Sequence, residues 1–130
     1  MTIEEELYDY LSVYAGLAAL VGTRIYRDRF PDNVVKPAIK YQRIDTQREY
    51  SHQGYSGLAR PLFQFSCFGE SQPATKAAID QVRIALQGYA GTMGNVLVQG
   101  AIVVDERSDY EPDTRLFRYD IDVQIPHDET

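Results

Sequence analysis

The chain has 130 residues, 44% hydrophobic and 25% charged, with nineteen acids against thirteen bases for a formal charge of −6. That length suits a single domain, 1–130, able to bury roughly two-thirds of its unfolded surface. One cysteine excludes an internal disulfide and a cysteine-based metal cage, and an acidic chain without a Lys/Arg cluster is poorly suited to gripping nucleic-acid phosphates.

At the N-terminus, MTIEEEL is acidic where a secretory signal is basic and then apolar, and no apolar run reaches the length of a membrane span; a soluble protein made in the cytoplasm is expected. Thr2 with Glu5 three residues on forms a capping-box pattern, and Glu4, Glu5 and Glu6 suit the positive end of a helix dipole. Leu7, Tyr10, Leu11 and Tyr14 recur at helical spacing, which predicts an amphipathic helix over 3–14 that Gly16 interrupts. A short helical turn over 17–21 stops at Gly22, and 25–27 is a candidate short strand. Pro31, Asp32, Asn33 and Pro37 mark an irregular connection.

Strands are expected over 39–44 and 62–68, the second with Phe63, Phe65 and Cys67 on one face. Ser71 or Gln72 caps a helix over 73–87, with Pro73 in its first turn and Ala74, Ala78, Val82, Ala85 and Leu86 along one face. Gly88 is its expected C-cap. Residues 96–104 read as one apolar strand. In the last strand, 116–125, Phe117, Tyr119, Ile121, Val123 and Ile125 face in while Arg118, Asp120, Asp122 and Gln124 face out, the mark of an antiparallel sheet. Pro126 stops it, and 126–130 is expected to fray. The order predicts an α+β fold: an antiparallel sheet of about four strands, two helices packed on one face, and long hairpin arms.

The arms, 45–61 and 105–115, are expected as extended loops. Connections longer than about 12–15 residues in a small domain tend to be functional. The first holds Arg48, Tyr50, His52 and Tyr55 among small residues, a composition suited to docking on another protein. The second holds Asp109, Tyr110 and Glu111, which join the first four as expected partner-binding residues. The stretch 36–61 leans basic and 105–113 leans acidic, a difference that head-to-tail contact between identical subunits can use.

Catalytic readings are weak. Asp120 and Asp122 share a strand face about 6.5–7 Å apart, a spacing used by glycosidases, but nothing implies the desolvating pocket that would split their pKa values. Cys67, between phenylalanines, reads as buried and inert. Ser51 and His52 adjoin without a nucleophile elbow or an orienting third group. Two histidines far apart supply no zinc spacing, 105–113 lacks calcium-loop spacing, and no phosphate-binding glycine loop occurs. No enzyme activity, cofactor or metal is expected.

Nearly the whole chain resembles the small tail completion, or tail terminator-like, proteins of long-tailed bacteriophages and prophages. The resemblance rests on EEELYDYLSVYAGLAALVGTRIY, PAIKYQRI…REYSHQGYSGLARPLFQFSCFG, ATKAAIDQVRIALQG and DERSDYEPDTRLFRYDIDVQI. It implies a structural virion protein that assembles as a ring, typically hexameric, on the head-proximal end of the tail tube. There it would end tube polymerisation and help join tail to head, with itself, the tail-tube protein and a head-proximal connector as partners. It implies no reaction and no cofactor, and it fixes no interface positions. A head–tail connector or other minor tail component is the alternative; a small ligand-binding or enzymatic domain would need an apolar pocket with convergent polar groups.

Overall fold

A computed structural model describes residues 2–22, 24–30, 37–51, 54–94, 96–112 and 115–128. Thr2 caps α1 (Ile3–Ser12) as its spacing predicts: its hydroxyl accepts from the Glu5 N–H, and the Glu5 carboxylate accepts from the Thr2 N–H at 3.0 Å. Ile3, Leu7 and Leu11 are buried, and so is Glu6. The helix breaks at Val13–Tyr14, before Gly16, which instead lies within α2 (Ala15–Val21). The Gln81 amide fills the space a Gly16 side chain would take, so this glycine serves the close approach of α2 to the next helix.

That helix, α3 (Gln72–Leu86), carries Pro in its first turn and buries Thr75, Ala78, Ile79, Val82, Ala85 and Leu86. Ala74, expected on the inner face, is exposed. Thr75 replaces it and bonds back to the Ser71 carbonyl at 2.7 Å. Gly69 meets Thr75 directly; any side chain there would drive α3 off the sheet.

The sheet has eight strands rather than about four. β1 (Ile25–Arg27) pairs parallel with β2 (Ala38–Ser51), which forms a long antiparallel hairpin with β3 (Gly54–Gly69). Two branches share the far edge of β3. One is β7 (Leu116–Gln124), followed outward by β6 (Ile102–Glu111). The other is β8 (His127–Asp128), which leads to β5 (Val96–Val98) and β4 (Gly91–Met93). The single strand expected over 96–104 is therefore two strands in two branches. Gly100, at φ +139°, makes the break, and the Ala101 N–H turns aside to the Tyr89 carbonyl. The expected frayed end is paired as far as Asp128, and His127 is buried; residues 129–130 lie outside the described residues.

The core lies between the helices and one face of the sheet. Ile39, Tyr41, Phe63, Phe65, Cys67, Ile121 and Val123 supply the sheet side. Tyr41 stacks on Phe65 with ring centroids 5.5 Å apart and donates to the Glu4 carbonyl at 2.7 Å, tying β2 to α1. The other face is polar, apart from an aromatic patch where Lys40 and Arg118 lie over Phe68 and Phe30 packs edge-on against it. Within β7 the expected alternation holds for Ile121 and Val123, whereas Phe117 and Tyr119 are only half-buried, Tyr119 accepting from the Gln72 amide of α3, and Asp120, expected to face out, is buried under Arg118.

Candidate docking surfaces

The two expected loops are strand ladders. β2 and β3 stay paired from Ala38↔Phe68 out to Ser51↔Gly54, so 45–61 is the far half of a hairpin and not a loop. Likewise 105–111 belongs to β6, paired with β7 out to Glu111↔Leu116. Residues 105–110 look like a loop in sequence because a strand exposed along its length loses the apolar alternation that marks a half-buried strand; in β3, Ala59 and Pro61 are buried, but small and cyclic residues give little apolar signal.

The register places the predicted docking residues. Arg48 pairs with Ala59 and is exposed, and Tyr50 pairs with Tyr55 next to the hairpin end. His52 lies outside the described residues. Asp109 pairs with Arg118, Tyr110 with Phe117 and Glu111 with Leu116. The Tyr110 and Phe117 rings lie 4.9 Å apart, and the Asp109 carboxylate accepts from the Tyr110 N–H. The structure thus places Arg48, Tyr50 and Tyr55 on one arm and Asp109, Tyr110 and Glu111 on another, and the two arms leave the sheet at opposite ends. β3, sixteen residues long, spans roughly 50 Å at about 3.3 Å per residue.

Charge is less segregated than the sequence suggests. Lys40 sits at the end of the sheet away from the first hairpin tip, over Phe68, and Arg43 is spent on Glu4 at 2.8 Å. In the acidic segment, Arg107 takes Asp122 through two nitrogens (3.0 and 3.1 Å) and also binds Asp105. Arg118 grips Asp120 through Nε and reaches Glu111 at 3.8 Å. The two strand carboxylates considered as an acid–base pair are therefore each held by a separate guanidinium.

Other catalytic readings fare no better. Burial pushes the Cys67 thiol up to about 12, far from the thiolate a nucleophile needs. Among the described residues no group of three or more His, Cys, Asp or Glu could hold a metal ion, and no helix is long and apolar enough to cross a membrane. The surface hollows are open. One of about 370 Å³ is lined by Glu4, Glu5, Tyr8, Asp9, Arg27 and Tyr41, and a groove of about 590 Å³ lies where the sheet branches, beside Arg60, Gln99 and Ile102.

Sequence reading missed one feature. β2 and β6 are opposite edges of the ribbon β2–β3–β7–β6, and each carries a bulge with an exposed apolar residue: Ile44, 49% exposed, and Val104, 54% exposed. An isolated aliphatic residue followed by Asp in a polar stretch is a signal that could have found Ile44; Val104 closes the apolar run 101–104 and carries no such signal.

The fold is that of a chain in a solved structure described as "Virion of native gene transfer agent (GTA) particle", with TM-score 0.82 and 21% identity over 97% of this chain and 94% of that one. No curated protein matches the chain. Residues 5–128 match the family model of tail completion protein gp17, and the chain belongs to that family. It is a structural protein of the phage tail.

Proposed function

We propose that this protein caps the head-proximal end of the tail tube, ends its polymerisation and supplies a surface for joining the head. Family membership across residues 5–128 carries this reading. The resemblance to a chain from a virion particle supports it. The assembled form is a ring of identical copies, six on the family resemblance. Arms at opposite ends of one sheet suit a piece that meets two different partners, a tube below and a connector above. Arg48, Tyr50, His52 and Tyr55 serve one contact; Asp109, Tyr110 and Glu111 serve the other. Docking alone needs no cofactor and no reaction.

The test is light scattering after gel filtration, with the protein alone and with its tail-tube protein. Tubes of defined length bearing the protein at one end are expected. A monomer that leaves tube growth unchanged would overturn the reading.

A further inference from the structure

The two edge bulges lie at nearly one height. Arg43, Phe63, Val123 and Val103 form one row across the ribbon, and Asp45, Leu62, Gln124 and Ile102 form the next. Ile44 falls between these rows, and Val104 falls one step below the first. The bulges also match in detail. Each apolar residue precedes an aspartate whose carboxylate accepts from the next N–H, Thr46 on β2 at 2.8 Å and Glu106 on β6 at 2.9 Å. Beyond Tyr41, β2 pairs among the described residues only with β3, and β6 only with β7. Among the described residues, no further strand pairs with either outer edge at the bulges.

Resting on the ring reading above, we infer that neighbouring copies meet edge to edge here, the Ile44 bulge of β2 against the Val104 bulge of β6 on the next copy. Three arguments converge on a second copy as the occupant. First, a closed ring allows no rise between subunits, so the two halves of its contact must sit at nearly one height along the axis; with strands along the axis, these differ by about one residue, roughly 3.3 Å. Second, four strands alternating in direction leave β2 and β6 opposed, so the junction between copies is antiparallel like every pairing inside the ribbon. Third, the flanking helices complement each other. On the β2 side α1 offers Glu5 and Asp9, with Arg27 as the one base of that hollow and Glu4 already held by Arg43. On the β6 side α3 offers Lys76 and Arg83 around Asp80, and Arg83 lines a hollow beside Val104. Bulged, charged edges also discourage indiscriminate strand pairing, leaving a specific contact in its place.

The experiment is oxidative cross-linking of capped tubes carrying Ile44→Cys and Val104→Cys together. The native Cys67 is buried and does not compete. A ladder of covalent oligomers ending at the ring's copy number is expected from the double variant and not from either single variant. Dimers from one single variant would mean a two-fold contact and overturn the inference. Because a disulfide is demanding in geometry, a charge pair gives the second arm. Val104→Glu alone is expected to abolish capping, and adding Ile44→Lys to restore it. Capped tubes with neither ladder nor rescue would place the ring contact elsewhere while leaving the capping reading intact. Failure of the unsubstituted protein to cap tubes would remove both.

Discussion

Glu6 and Gly94 are coupled across the fold. The Glu6 carboxylate, buried on α1, occupies the space where any side chain at Gly94 would project, and Gly94 sits at φ +60° in the turn between β4 and β5. Gly94→Ala therefore meets two penalties: left-handed backbone strain of about 1–2 kcal/mol, and displacement of a buried carboxylate. We expect a loss of at least that strain energy in urea unfolding; a variant as stable as the parent would mean that Glu6 moves aside freely. A second residue-scale effect concerns alkaline pH. Burial raises the Cys67 thiol and the Tyr41 phenol to about 12 each, against ordinary values of about 8.5 and 10. Folding thus favours the protonated forms. Their contribution is intact below the ordinary values, declines as pH climbs past them, and is lost through pH 12. Native Cys67 should accordingly react with a thiol reagent only at the rate of unfolding, and stability measured by denaturant should fall from about pH 9 upward. Rapid labelling of folded protein at neutral pH would show that the thiol is reachable.

At the scale of elements, the caps and the core face determine stability separately. Thr2→Ala removes the acceptor for the Glu5 N–H and should cost roughly 0.5–2 kcal/mol. Phe65→Ala, at the centre of the stacked Tyr41–Phe65 pair, should cost about 3–5 kcal/mol. Thermal melts of the two variants would order them; equal losses would contradict the placement of Phe65 in the core. The same contrast explains what could be read from sequence. Helices α1 and α3 were legible because caps and 3.6-residue periodicity are local signals. Ile121 and Val123 were legible because one face of β7 is dry. The two- and three-residue strands β8 and β4 were not, since pieces so short form only where a partner edge already waits, and β5 was read as a strand but without the break at Gly100 that parts it from β6. The far halves of β2 and β3 and residues 105–111 of β6 were missed because their sequences are polar and turn-rich, and along 105–110 both faces of the strand are exposed. Arg48 and Tyr110 could therefore be named as arm residues, while Ile44 and Val104 became visible only when the register put them on opposite edges of one ribbon.

For the whole molecule, the register separates folding from docking. Among the described residues, the hairpin beyond Arg48↔Ala59 pairs with itself at Tyr50↔Tyr55 and Ser51↔Gly54, and with the C-terminal strand at Leu58↔Asp128. Joining Arg48 to Ala59 through an Asn-Gly turn matches the two-residue geometry of a tight hairpin and removes Tyr50, His52 and Tyr55 together. The shortened protein should keep its core, and its melting temperature should stay within a few degrees of the parent, since a change near 1 kcal/mol moves a domain of this size by roughly 2–8 °C. If the arm reaches a partner along the ring axis while β2 and β6 hold the ring together, the shortened copies should still associate with one another but no longer engage whichever partner that arm meets. Cross-linking at Ile44 and Val104 would report the first property, and binding to the tail tube or to the head-side connector the second. Retention of both partners by the shortened protein would move docking away from the first arm and onto the Asp109–Glu111 end of the sheet.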